Sequence, residues 1–392
     1  MKYKRLLIIL ILILLSGCWD SVELDESIMV VGIGISKGNE DEYKIVVEAV
    51  APSELNPNES ELQGKSILLE TSSETLFDAA REIIRVAKRR LFFTHAEVWV
   101  IHSDLASNED MLQFLDILRR EQMLRLNSYL FISEDLPKDI FTTEYTFSNI
   151  LSEELISGLE YAQYVSDYPT VRARDYFKRS LGPLGTSYLP IIKIIEQGGE
   201  SLSQLTGAAI FKEGQLIGRL SPKESFGLMW INDEVKGGNI TIGVEQTKAS
   251  FKLIRSDTRL TTKLNGNHLT VHVDVEAEGK LADQHMYIDS INKWIHKFEK
   301  GIEQKIKKDI DLTLNKLQKE FKTDSTNIGI EAYRKQPHLF NEVKENWDDV
   351  FAEATIHVKV NTKVVNKGLI ESSGFNTDKP GEKDSYHLRN GI

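Results

Sequence analysis

Cys18 is the only cysteine in this 392-residue chain. It stands directly after Leu15, Ser16 and Gly17. A thiol can take a thioether-linked diacylglycerol, and small residues before it give a peptidase access to the bond. The residues upstream agree with that chemistry. Lys2, Lys4 and Arg5 form a positive start, and Leu6 to Leu15 is an unbroken apolar run. This is the layout of a secretory signal peptide. The run covers about 15 Å as a helix, half of the roughly 30 Å a hydrocarbon core demands. "LSGC" therefore reads as a lipobox: Leu15, Ser16 and Gly17 are the peptidase recognition residues, and residues 1–17 are a leader. Cleavage makes Cys18 the new N-terminus, carrying S-diacylglycerol and an N-acyl chain such as palmitate. Each buried methylene contributes about 0.8 kcal/mol; one acyl chain holds marginally and two hold firmly. A cysteine used this way leaves no thiol for catalysis or for a disulfide.

The other reactive side chains point to no reaction. His268, His272, Asp274 and Glu276 share one parity of a strand. Four such groups could suggest a metal site, but alternation with Leu and Val is what a solvated strand face looks like. Gly32, Gly34 and Gly38 in "VGIGISKG" lack the dinucleotide-binding spacing, and no helix follows them. The acid pairs Glu153-Glu154 and Asp348-Asp349 read as solvated helix surface. Neither a G-x-S-x-G elbow nor a phosphate-binding lysine loop occurs. The expectation is a protein that is not an enzyme and has no cofactor or metal.

The elements that would carry these residues follow from periodicity. "IMVVGIGIS" (28–36), "YKIVVEAVA" (43–51) and "SILLET" (66–71) predict strands. From Ser73 to Leu91 the period changes to a helix, with Ser73 as its cap. A strand at 96–102, a helix at 109–121 and a strand at 127–133 follow. Residues 138–185 read as helices and loops, and "IIKIIE" (191–196) as a strand. "QGGES" (197–201) is the best candidate boundary. "GAAIFKEGQLIGRL" (207–220) predicts a hairpin, and "SPKESFGLMWIND" (221–233) a capped short helix. Strands at 239–245, 249–264 and 268–279 come next, the last two joined at Asn265-Gly266 by a type I′ turn. Apolar residues then recur every three or four positions from Ile288 to Phe321. They predict one long helix, 287–321, packed on a sheet; the drift to steps of four does not hold a coiled-coil heptad. "EATIHVKVNTKVVNKG" (353–368) predicts a last strand.

Strands and helices without strict βαβ alternation indicate an α+β fold. It is expected as three mixed domains with largely antiparallel sheets: 18–197, a small middle domain 198–236, and 237–372 with the long helix. Residues 373–392 read as a disordered tail. The formal charge is −11, and losing the three leader cations makes it −11 − 3 = −14. Such a body gains nothing from nucleic acid and is repelled by anionic lipid headgroups. The anchor must do the attaching, on the extracytoplasmic face of a membrane. About ten residues separate Cys18 from the first strand, so the body stays close to that membrane.

Several runs taken together resemble the Ger(x)C family of spore germination lipoproteins, the C subunits of nutrient germinant receptors. They are "GCWDSVELDE", "VVGIGI", "FLDILRRE" with Arg125, "LFIS", "GAAIFKEGQLIGRLSPKESFGLMW", "GIEAYRKQPHLFNEVKENWDDVF" and "VKVNTKVVNKG". They run in order from Cys18 to about Gly368. Trp19, Asp20, Glu23 and Leu24 match the family's opening and read as packing or membrane-proximal contacts. The resemblance implies a three-domain α+β ectodomain on the inner spore membrane, or on the cell membrane. It implies a non-enzymatic role beside an A subunit and a transporter-like membrane B subunit, with direct binding of a small-molecule ligand left open. The alternative is a solute-binding lipoprotein delivering a small nutrient to a transporter. Such proteins usually show two similar α/β lobes and a longer linker, neither of which is visible here. A lipid-anchored hydrolase would need an acid, base or nucleophile motif.

Overall fold

The structure is a computed structural model and describes residues 27–38, 42–51, 66–120, 124–144, 148–166, 168–245, 247–284 and 291–366. The leader, Cys18 and the tail from 373 lie outside the described residues.

The chain opens with three strands, β1 (Ser27–Lys37), β2 (Tyr43–Val50) and β3 (Ile67–Ser73). Helix α1 (Leu76–Ala87) follows. Its cap is Thr75, whose side chain accepts from the Asp78 N–H at 3.1 Å; the expected cap, Ser73, is still in β3. The helix stops at Lys88, which is left-handed with φ 53°. The residues read as its last turn instead form β4 (Arg90–Phe92), and β5 (Val98–His102) comes next. The helix expected over 109–121 is two single turns, Met111–Phe114 and Ile117–Arg120. Then come β6 (Tyr129–Ser133), α2 (Pro137–Phe141), α3 (Leu151–Glu160), α4 (Ala173–Ser180) and β7 (Thr186–Gln197).

Residues 197–201 are a hairpin turn, not a break in the fold. Gly198 and Gly199 both have positive φ, and β7 pairs antiparallel with β8 (Glu200–Lys212). Glu213-Gly214, also with positive φ, turns the chain into β9 (Gln215–Leu220). The segment 198–236, expected as a separate middle domain, thus contributes two strands to the first sheet. That sheet runs β3-β2-β1-β5-β6-β7-β8-β9, with β4 beside β1. Its middle, β1-β5-β6-β7, is parallel, and antiparallel pairs flank it.

The second sheet is β10 (Asn239–Val244), β11 (Thr247–Asn265), β12 (His268–Gln284) and β13 (Thr355–Asn366), in that order. The turn between β11 and β12 is Gly266-Asn267, because Asn265 pairs with His268. Only Gly266 of these has positive φ, which matches a type II′ turn and not the type I′ turn read at Asn265-Gly266. β13 joins parallel to β12.

Helix α5 (Pro222–Ile231) connects the two sheets and begins with a capping box between Ser221 and Glu224. It crosses helix α6 (Ile291–Asn315), which lies within the predicted 287–321 helix. Ile295, Phe298, Ile302, Ile306, Ile310 and Leu314 are buried along one side of α6. A π-helical turn, Lys316–Phe321, finishes it; this wider turn keeps residues spaced by four on one face. The crossing is close because position 227 is glycine. A Cβ there would stand 2.1 Å from Thr313 Oγ1 and 2.3 Å from the Asp309 carbonyl. Helix α7 (Ile328–Lys335) and two short helices, Pro337–Val343 and Trp347–Ala352, precede β13.

A polar chain ties the halves together at this junction. Tyr188 donates to Glu234 at 2.5 Å and Arg179 donates to the same oxygen at 2.6 Å. Asn232 donates to Tyr188 Oη at 3.1 Å and accepts from the Asn327 N–H at 2.8 Å. Burial, then the Glu234 carboxylate, push the Tyr188 hydroxyl far up, so it stays a neutral donor.

Glu48 is fully buried on β2 and accepts from the Leu151 N–H at 2.8 Å and the Ser152 N–H at 2.9 Å. Burial pushes its pKa up despite these bonds. The folded chain therefore holds the Glu48 proton more tightly than the unfolded chain does. Below the ordinary value of 4.5 both states carry it. As pH rises from there through the raised folded value, the Glu48 contribution to stability is lost. Glu48→Gln should remove that pH dependence, seen as a flatter urea midpoint as pH rises from 4.5. It should also cost about 1–3 kcal/mol, because an amide NH₂ then faces a helix N–H donor.

Candidate functional site: an apolar cleft beside helix α1

None of the residue sets that could have done chemistry assembles a reaction centre among the described residues. His272 stacks on His357 at 5.1 Å on the outer face of the second sheet. No group of three or more His, Cys, Asp or Glu residues could hold a metal ion there or elsewhere among the described residues. Gly32 and Gly34 serve packing. A Cβ at Gly32 would meet Ser152 Oγ at 2.2 Å, and one at Gly34 would meet Pro137 Cβ at 2.5 Å. Glu153 and Glu154 accept from the Ser148 hydroxyl and N–H in front of α3. Asp348 pairs with Lys212 at 3.1 Å. Leu15, Ser16, Gly17 and Cys18, with Trp19, Asp20, Glu23 and Leu24, lie outside the described residues.

What the fold does build is a cleft. Strand alternation sends Ile33, Ile35, Ile45, Val47 and Trp99 to one face of the first sheet. α1 covers that face with Ala79 and Ile83, both fully buried. The cover is narrow, because Ala79, Ala80 and Ala87 are small. Between α1, the sheet and Ile117 remains an apolar cavity of about 310 Å³. Phe77, Arg81 and Ile84 of α1 form one wall, and Arg90, Leu91 and Phe93 another. A larger open hollow of about 880 Å³ adjoins it at the N-terminal end of α1, bordered by Tyr43, Phe114, Asp116 and Arg120. Phe77 and Ile84 are 47% and 44% exposed, unusual for large apolar side chains on a helix whose other face is core. The floor offers few polar groups; Trp99 Nε1 is buried there without a hydrogen-bond partner. The arrangement suits apolar or amphipathic matter, with two guanidinium groups at the rim.

Sequence reasoning found α1 but missed this cleft. The signal was present in the spacing. Phe77 and Ile84 fall seven apart, off the stripe of Leu76, Ala79, Ala80, Ile83 and Ala87.

Comparison with known proteins matches the chain in two parts. Residues 20–194 match the family described as spore germination protein N-terminal domain. Residues 206–368 match the family described as spore germination B3/GerAC like, C-terminal. The chain belongs to the GerAC-like spore germination family. The two matches of this GerAC-like chain meet across the β7–β8 hairpin. Spore germination protein B3 of Bacillus subtilis is 26% identical over 92% of this chain and 96% of its own length. Spore germination protein KC of the same organism is 26% identical over 93% of this chain and 95% of its own length. The crystal structure of the GerBC protein superposes with a TM-score of 0.56 at 22% identity, covering 86% of this chain and 97% of that one. At that identity the match establishes a shared α+β fold.

If the cleft is open in solution, filling it should stabilise the protein. Ala80→Phe, placed against the cavity wall, should raise the melting temperature by an amount equivalent to about 0.5–2 kcal/mol. A fall in melting temperature would mean that the space is already closed.

Proposed function

We propose that this chain is a lipid-anchored, non-enzymatic subunit of a spore germinant receptor, needed for the response to nutrients that starts germination. The supporting observation is family membership along both halves of the chain combined with the lipobox at Cys18. In this reading diacylglycerol on the Cys18 sulfur and an acyl chain on its amine hold the body on the extracytoplasmic face of the inner spore membrane or cell membrane. Its partners there are the A and B subunits of the receptor. Two described buried acids hold helix starts: Glu48 at α3, and Asp324 before α7, where it accepts from the Thr326 and Gly329 N–H groups. These are structural duties, and they fit a subunit that works through its surfaces.

Cys18→Ala should leave the folded body intact and release it from the membrane fraction of spores. Mass spectrometry of the native N-terminus should find Cys18 first in the chain and diacylated. An unmodified thiol or an uncleaved leader would overturn the anchor.

The second reading is a lipoprotein that binds a small nutrient in the cleft, and the apolar lining counts against it. An amino acid or sugar carries polar groups that the apolar floor leaves unpaired, which costs free energy. Germinant amino acids and sugars should therefore leave the melting temperature unchanged. A rise at saturating concentration would favour the solute-binding reading over the receptor scaffold.

A further inference from the structure

Residues 81–90 carry Arg81, Arg85, Lys88, Arg89 and Arg90 against a single acid, Glu82, in a chain whose formal charge is −11. Glu82 is engaged by Arg85 at 2.7 Å. Phe77, Arg81, Ile84 and Lys88 are spaced by four, three and four, which places them along one line of the helix surface. The line alternates large apolar and cationic side chains, all exposed. Arg81 stacks 4.6 Å from the Phe77 ring centroid, and Arg90 lies 5.4 Å from that of Phe92. Cations near a helix C-terminus also offset the helix dipole. That explains one or two of the five, and it does not explain why Phe77 and Ile84 face water.

The position of this edge supplies the missing reason. Ser27 pairs with Arg90 and Ile28 with Leu91, so the chain enters the fold beside the basic segment. Cys18 is nine residues upstream of Ser27, a reach of at most about 32 Å. An anchored Cys18 therefore keeps this edge near the headgroups. Repulsion of the acidic remainder and attraction of the basic edge then orient the body the same way.

We propose that the edge from Phe77 to Arg90 is the surface on which the body rests on an anionic lipid bilayer. Arg81, Arg85, Lys88 and Arg90 meet headgroup phosphates, and Phe77 and Ile84 enter the acyl boundary beside the cleft. An amphipathic helix of this kind lies in the interface plane; no described helix is long and apolar enough to cross a membrane. A basic patch also supplies the second attachment that acyl chains alone hold less firmly. The distance argument rests on the proposed anchor, but the charge and exposure do not, and the test removes the acyl chains from Cys18.

The chain from residue 18 onward, carrying Cys18→Ala, retains every described element, since these begin at Ser27. It is mixed with phosphatidylglycerol or phosphatidylcholine vesicles and sedimented. It should bind the anionic vesicles at low salt, lose them by about 0.5 M salt, and ignore the neutral ones. The triple variant R81E/K88E/R90E should bind at least roughly tenfold more weakly. Ile84→Ser should also weaken binding. The control K307E/K308E, on α6, should bind like the parent, and equal melting temperatures should show that all variants fold. Absence of binding to phosphatidylglycerol, equal binding to phosphatidylcholine, or unchanged binding by the triple variant would each overturn the proposal. An interaction of this edge with a protein partner instead would appear as the first of these. Failure of Cys18 to be lipidated would leave the vesicle result untouched, so the two ideas fail separately.

Discussion

Ile33, Ile35, Ile45 and Val47 point to one face of the first sheet, while Val46, Val98, Val100 and Phe131 point to the other. Neither face can meet water, so the sheet must be covered twice. One cover is α2 and α3, brought close by Gly32 and Gly34 and tied down by Glu48. The other is α1 with the short helical turns after β5, and further along it merges with the core of the second sheet. Parallel strands in the middle of a sheet are usually buried on both faces in this way. The cleft is a consequence of the same demand. An alanine-rich helix covers the face thinly, and its outer flank stays partly apolar.

The two sheets are joined by α5 and by polar contacts of unusual length in sequence. Thr313 donates to the Glu224 carbonyl at 2.6 Å, and Thr186 donates to the Asp324 carbonyl at 2.7 Å. With the chain from Arg179 through Glu234, Tyr188 and Asn232 to Asn327, these contacts connect residues far apart in sequence across one junction. Perturbed buried carboxyls often mark reactive sites. Here Glu48 and Asp324 each face the opening turn of a helix, and their burial serves packing.

Much of the fold was legible because local pattern and tertiary burial agree. The two-residue alternation of β1 and β2, the Ser221–Glu224 capping box and the apolar line along α6 each carry their own signal. Reading failed where a neighbour in space changed the outcome. Residues 88–91 read as helix by spacing, but Leu91 is claimed by Ile28 across a strand pair. The glycines at 198 and 199 look like a linker, but the strands on either side have each other as partners.

The proposed lipobox and the order of the elements rest on the sequence, because charge, apolar run length and periodicity act locally. The cleft, the split of α1 into a buried and an exposed face and the merging of 198–236 into the first sheet are decided by tertiary structure alone. They depend on which faces end up opposed, and a side chain's exposure is set by neighbours that the linear order does not name. Phe77 and Ile83 are both apolar residues of one helix. Only packing against β1 and β2 makes one of them core and leaves the other at the surface.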